Sequence, residues 1–298
     1  NNANGISVSI CNNIKFDLFW SVAGSLPQEI GLTIIDSNND IVFTKLPGQG
    51  TPLTVIYSDT VLGNCEPPTC PKPTNVQVVS TTQTTANLSW TLGGTESQWE
   101  VYVVEQGGTP PDNLVGPMNP DVAPYYLANT NDNFVVPGLT PGTQYQYYVR
   151  ALCSDSDWST WTILNPKSFI TKPVNDECSA ALVAPVNPTR ICAESVSGNT
   201  LGGTASIEAS NCPGNENDDI WYSFVATNAF HIITLSDVVG TSVRYAVYNG
   251  SECGALTQIY CSPNSPTTNI LKGLIPTETY KIRVYTNGNN VNQSASFD

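Results

Sequence analysis

Apolar and polar positions alternate with a period of two along much of the chain. Ala86, Leu88 and Trp90 alternate with Asn87, Ser89 and Thr91. Trp99, Val101 and Val103 alternate with Glu100 and Tyr102, and Tyr145, Tyr147 and Val149 with Gln146, Tyr148 and Arg150. This period sends one set of side chains to a core and the other to water, which predicts half-buried antiparallel strands. Amphipathic helical periodicity is not evident anywhere.

One spacing occurs twice. Gly138-Leu-Thr-Pro-Gly-Thr-Gln-Tyr145 opens one apolar-alternating run, and Gly273-Leu-Ile-Pro-Thr-Glu-Thr-Tyr280 opens another. Both predict a tyrosine corner, in which the hydroxyl of Tyr145 or Tyr280 ties back to backbone just upstream. Two Pro-rich stretches punctuate the chain, Cys65-Glu-Pro-Pro-Thr-Cys-Pro-Lys-Pro73 and Thr171-Lys-Pro-Val-Asn175. Proline favours extended backbone and rejects helix, so each reads as a short stiff linker. They divide the chain into 1–66, 70–172 and 175–298.

Charge narrows the class. Charged residues are 12 % of 298 and the net charge is −14. Each of the three segments is acidic, so no basic patch is available to phosphates or anionic lipid, which excludes nucleic-acid and membrane-surface partners. Nor does any apolar run reach the roughly 18 residues that span a bilayer as a helix. Nine cysteines beside one Met and one His point to an oxidising, extracellular compartment.

Residues 70–172 resemble a fibronectin type III domain through Leu88-Ser-Trp90, Trp99-Glu-Val-Tyr-Val103, Leu139-Thr-Pro-Gly-Thr-Gln-Tyr145 and Ser168-Phe-Ile-Thr171. Cys70, Cys153 and Trp158-Ser-Thr-Trp161-Thr are similar to additions in Bacteroidota surface proteins. The last is also similar to the Trp-Ser-x-Trp-Ser element of cytokine-receptor modules. Residues 175–298 resemble a pre-peptidase C-terminal-like β-sandwich. That likeness rests on Asn175-Asp-Glu-Cys178, Asp218-Asp-Ile-Trp-Tyr-Ser-Phe224, Tyr245-Ala-Val-Tyr-Asn-Gly250 and Tyr280-Lys-Ile-Arg-Val284. The expected fold is all-β, as tandem antiparallel sandwiches: a partial β module, a fibronectin type III-like sandwich and a jelly-roll or Greek-key-like sandwich. The resemblance implies a secreted Bacteroidota modular protein or adhesin, delivered by the type IX route.

Catalysis has little to stand on. His231, the single histidine, lies in a strand-like His-Ile-Ile-Thr-Leu run, and no nucleophile or phosphate motif accompanies it. No cofactor is indicated except calcium, for which Glu216, Asp218 and Asp219 are the candidate oxygen ligands. Asp36-Ser-Asn-Asn-Asp40 also spaces oxygens alternately, although a polar hairpin turn explains it better. Tyr102, Tyr148 and Tyr285 are outward candidates for a glycan platform. Local disulfides are expected: Cys11–Cys65, Cys70–Cys153, Cys253–Cys261 and Cys192–Cys212. Cys178 is left over, with an expected partner beyond Asp298. That fits residues 294–298 reading as an interrupted strand and 1–66 as too short for a whole sandwich. Arg150 is expected to stack between Trp158 and Trp161 on the outer face of the middle module.

The functional expectation is a non-catalytic structural or adhesive segment of a large extracellular cell-surface or filament-forming protein. Its partners would be neighbouring β modules, identical chains, or a surface glycan or protein ligand. The alternatives are an accessory region of a secreted hydrolase and a carbohydrate- or collagen-binding module.

Overall fold

The computed structural model describes residues 15–21, 29–35, 41–60, 68–113, 116, 123–163, 166–263, 265, 267–288 and 293–298. Asp36–Asp40, Cys11 and Cys65 lie outside the described residues, and with them the expected hairpin turn and the Cys11–Cys65 bond. The chain divides into two compact units, Asn1–Pro68 and Thr69–Asp298.

In the first unit β1 (Lys15–Phe19) pairs antiparallel with β4 (Val55–Thr60), and β2 (Leu32–Ile35) with β3 (Ile41–Lys45). Phe43 stacks on Tyr57 at 4.6 Å, which joins the two pairs through their apolar faces.

The second unit holds two sandwiches. The first is built from β5 (Thr74–Thr81), β6 (Ala86–Thr91), β7 (Gln98–Glu105), β8 (Tyr125–Ala128), β9 (Phe134–Val136), β10 (Gln144–Ser154), β11 (Asp157–Trp158) and β12 (Lys167–Ile170). One sheet has the order β5-β6-β9. The other runs β11-β10-β7-β8, with β12 also on β10. The alternation read from the sequence is the packing pattern: Ala86, Leu88, Trp90, Trp99, Val101, Val103, Tyr145, Tyr147 and Val149 are buried in one core.

The second sandwich follows a 3-10 turn at Cys178–Ala180. Its strands are β13 (Leu182–Val183), β14 (Gly198–Asn199), β15 (Ile220–Val225), β16 (Phe230–Leu235), β17 (Val239–Gly240), β18 (Val243–Asn249), β19 (Thr257–Cys261), β20 (Thr267–Lys272), β21 (Thr279–Thr286) and β22 (Ala295–Phe297). A five-stranded sheet, β13-β15-β21-β18-β19, is opposed by a three-stranded β14-β22-β17 and a two-stranded β16-β20. Tyr222, Tyr245, Ile282 and Phe297 are part of the core between them.

Both tyrosine hydroxyls accept an amide five residues back. Tyr145 takes the Thr140 N–H at 3.0 Å and Tyr280 the Ile275 N–H at 2.9 Å.

The stretch 171–175 is not a free spacer. Thr171 is fully buried, and Lys172 Nζ reaches Asp176 Oδ2 at 2.8 Å and Thr204 Oγ1 at 3.0 Å in the following sandwich. Gly202 turns with φ +78°, and a Cβ there would lie 2.3 Å from the Thr171 carbonyl oxygen. Gly202→Ala is therefore expected to destabilise this unit by more than about 1 kcal/mol, because positive φ and the clash act together. Urea unfolding reads this directly. An unchanged midpoint would mean that the two sandwiches do not meet at Gly202.

Candidate functional site

Among the described residues three constellations of charged and aromatic side chains stand out: one on the outer face of each main sheet of the second unit, and one around His231.

In the fibronectin-like sandwich Arg150 and Glu100 are cross-strand partners on β10 and β7. Parity sends both away from the core, as alternation requires, yet each is at most 2 % exposed. Arg150 Nε and Nη2 donate to Glu100 Oε2 at 2.8 and 2.6 Å. The guanidinium carbon lies 4.5 Å from the Trp161 ring and 5.8 Å from that of Trp158. Tyr102, Tyr148 and Trp161 form a second small core beside it. The segment after β7 covers this face: Tyr102 Oη donates to Thr109 O, Trp161 Nε1 to Asp112 O, and Asn113 Oδ1 accepts the Trp161 amide. Tyr102 and Tyr148 were expected to face solvent, and the structure buries both. The reason is that a loop folds back over the sheet, which strand parity alone does not reveal. A desolvated cation here stacks on aromatics and pairs with its carboxylate.

The acidic cluster of the last sandwich has the same logic. Arg283, on β21, donates from Nε and Nη2 to Asp219 Oδ2, and its Nη1 meets Glu216 Oε2 at 2.7 Å. Its guanidinium carbon is 5.6 Å from the Trp221 ring. Ser206 Oγ donates to Asp219 Oδ1 at 2.5 Å and accepts Trp221 Nε1 at 2.7 Å. Asp218 accepts the Thr286 amide at 3.1 Å and the Thr286 hydroxyl at 2.6 Å. Burial pushes the Asp219 carboxyl up to about 6, with Arg283 and Ser206 pulling the other way.

Two of the three oxygen-bearing residues named for calcium are thus paired with an internal cation. A guanidinium stands between Asp219 and Glu216, and a dication placed among the same oxygens would meet that positive charge. Arg283 is the residue the sequence reading missed. Its only signal was an outward parity position on a strand, as for Arg150. Tyr285, the third outward aromatic, is fully buried as well and donates to Pro213 O.

His231 is structural in its contacts. Its Nε2 accepts the amides of Thr227 and Asn228 at 3.0 and 3.2 Å, and its ring lies 5.5 Å from that of Phe224. Burial holds its pKa below the ordinary histidine value, in keeping with a neutral acceptor. Beside it runs a groove of about 830 Å³ between β16 and the 184–196 segment.

The disulfides differ from expectation in one module. Cys70 is bonded to Cys153, Cys178 to Cys253 and Cys212 to Cys261. Cys253–Cys261 is overturned by the β18–β19 hairpin. Thr257 faces Asn249 and Cys261 faces Ala246, so Cys261 lies four residues down a strand from the tip loop that carries Cys253. That is about 13 Å of extended chain, too far for a bond. Cys192–Cys212 is overturned because Cys212 is taken by Cys261. Cys178 is not left over, and Cys192 is the free, exposed cysteine among the described residues.

Comparison with known proteins agrees with this architecture. Residues 71–164 match the family model described as fibronectin type III domain. Residues 174–298 match a family model described as galactose binding domain-like and associated with type IX secretion, and a pre-peptidase C-terminal identity is not shown. No curated protein matches the chain. Among solved structures, the FN5 domain of Drosophila Lar is 19 % identical, with 34 % of this chain and 94 % of that one covered and a TM-score of 0.25. The fn3 domain of human collagen alpha-1(XX) chain is 16 % identical, with 37 % and 90 % covered and a TM-score of 0.25. The secretion-associated domain and the disulfides fit a secreted, extracellular protein. Among the described residues no helix is long and apolar enough to cross a membrane.

Proposed function

We propose that this chain is a non-catalytic structural and adhesive segment of a larger cell-surface or filament-forming protein exported by the type IX route. The observation that carries the reading is the direct packing of a fibronectin type III sandwich against a type IX-associated galactose-binding-like sandwich, through Lys172, Asp176 and Thr204. A packed junction transmits load and orientation from one module to the next, which suits a surface projection. The Arg–carboxylate–Trp clusters support the same view. They consume, inside each module, the charged and aromatic side chains that a catalytic or sugar-binding surface would present.

A second reading, glycan recognition by residues 174–298, is favoured by the description of the matched family. The two are separable. Cells producing the protein without this segment should attach to surfaces several-fold less well, with secreted protease and glycosidase activity unchanged. Loss of a hydrolase activity with normal attachment would overturn the proposal in favour of an accessory region. A glycan array probed with the whole chain decides the second reading. Saturable binding to one sugar class below about 1 mM would establish it.

A further inference from the structure

One end of the last sandwich gathers side chains that the buried clusters do not use. Among the described residues of 174–298 Phe230 is the exposed aromatic, 61 % open, whereas Trp221, Tyr248 and Tyr285 are covered. Its cross-strand partner is Lys272, which puts the two side chains on one face, about 5 Å apart at Cβ. This sandwich has five cations. Arg283 is held by Asp219 and Glu216, Arg244 by Asn287, and Lys281 by the Cys178 carbonyl. Arg190 and Lys272 are exposed and have no hydrogen-bond or ion-pair partner among the described residues. Both line the groove of about 830 Å³ beside β16, as Phe230 does.

The free nitrogens at this end are donors. His231 Nε2 accepts the Thr227 and Asn228 amides, so the neutral ring carries its proton on Nδ1. That N–H has no partner among the described residues, and the ring lines the groove. Asn228 Oδ1 accepts the Ala229 amide, which leaves its Nδ2 as the unused group. With Arg190 and Lys272 these make a set of donors and two positive charges. Such a set repels a metal ion and suits an acceptor-rich, anionic ligand.

The carboxylates of the groove are placed elsewhere. Asp237 follows the far end of β16, and Asp298 is bonded to Ser236 there, roughly 20 Å along the strand from Phe230. Glu194 is on the opposite wall, tied through its backbone to Asn187. Phe230 adds a flat apolar face on which a sugar ring can lie, as aromatics do in small-ligand sites. A carboxylate on a peptide would satisfy the cations but would bring no ring face to Phe230.

We infer that the Phe230–Lys272 end of this groove is a site for a carboxylate-bearing saccharide, a uronic or sialic acid, with the sugar ring on Phe230 and its carboxylate held by Lys272 and Arg190. This rests on the second reading above, glycan recognition by residues 174–298, and names the sugar class. None of the side chains it uses belongs to the core.

Trigalacturonate and sialyllactose are titrated against the whole chain, each beside a neutral counterpart, the methyl-esterified trimer and lactose. At least one acidic sugar should bind saturably and about tenfold or more tighter than its counterpart, the usual weight of hydrogen bonds to a charged group. Lys272→Gln, Arg190→Gln and Phe230→Leu should each weaken that binding by about fivefold or more. Lys167→Gln, at an exposed cation of the other sandwich, should leave it unchanged. All four are surface changes, and an unchanged urea midpoint confirms that each variant folds. Failure of both acidic sugars to bind, or equal binding of the neutral counterparts, would overturn the inference. If neutral glycans on the array still bind, the second reading stands without it, whereas a blank array removes both. An oligoglutamate peptide that binds as tightly, and is lost in the same variants, would also overturn it, in favour of an acidic peptide ligand.

Discussion

Asp219→Ala is expected to destabilise the 69–298 unit by about 3–5 kcal/mol, a large part of the stability of an ordinary domain. Arg283 would remain 2 % exposed, with its charge facing an emptied site and Glu216 as its remaining carboxylate. Trp221 Nε1 would keep its bond to Ser206, but the Ser206 hydroxyl would lose the carboxylate that orients it. The loss comes from stranding a buried cation, not from the net strength of the pair. Burial already pushes the Asp219 carboxyl up to about 6, so ionising it there is costly. The double variant Asp219→Leu/Arg283→Met should therefore recover most of the stability. Urea unfolding of the two single variants and the double at pH 7 measures this directly. Single variants within about 1 kcal/mol of the parent would mean that the cluster is more open to water than the structure has it.

The second large effect is expected at Cys178–Cys253. The bond spans a sequence separation of 75 residues, and in the chain-entropy model a loop of that size is worth about 4–5 kcal/mol. It also anchors the 3-10 turn to the outer face of the last sandwich, where Cys178 packs with Trp221, Ala246 and Tyr248. Alanine at both cysteines should lower the unfolding midpoint sharply, while Cys212–Cys261, with a separation of 49, should matter somewhat less. Non-reducing peptide mapping gives an independent check. Recovery of a Cys178–Cys253 peptide is the expected result, and a Cys253–Cys261 peptide would sink the assignment.

Both the buried ion clusters and the disulfides rest on contacts that no local sequence pattern encodes. The Arg150 stack could be reached from parity and the Trp-Ser-Thr-Trp spacing. Its burial could not, because Thr109 to Asn113 close over the sheet from a loop whose path no periodicity encodes. Asp218 and Asp219 looked like cation ligands because adjacent acids ahead of a strand resemble a loop site. Arg283 lies 64 residues further on and was hidden in an ordinary strand pattern. The cysteines failed for a related reason. Short separation favours Cys253–Cys261 in a flexible chain, but a formed hairpin holds those two residues apart.

What the amino-acid sequence determined by itself is the all-β class, the strands around Leu88, Val101, Tyr147 and Ile282 with their inward faces, and the two tyrosine corners. These depend on a period of two and on residues a few places apart, so local chemistry is enough to specify them. The tertiary structure alone decided which carboxylate meets which guanidinium, which cysteines bond and how 171–175 packs. Each of those depends on groups 30 to 100 residues apart, brought together only when strands pair and loops fold back over the sheets. Polar side chains that face outward on a strand can then be buried, provided another part of the chain covers them and supplies the opposite charge.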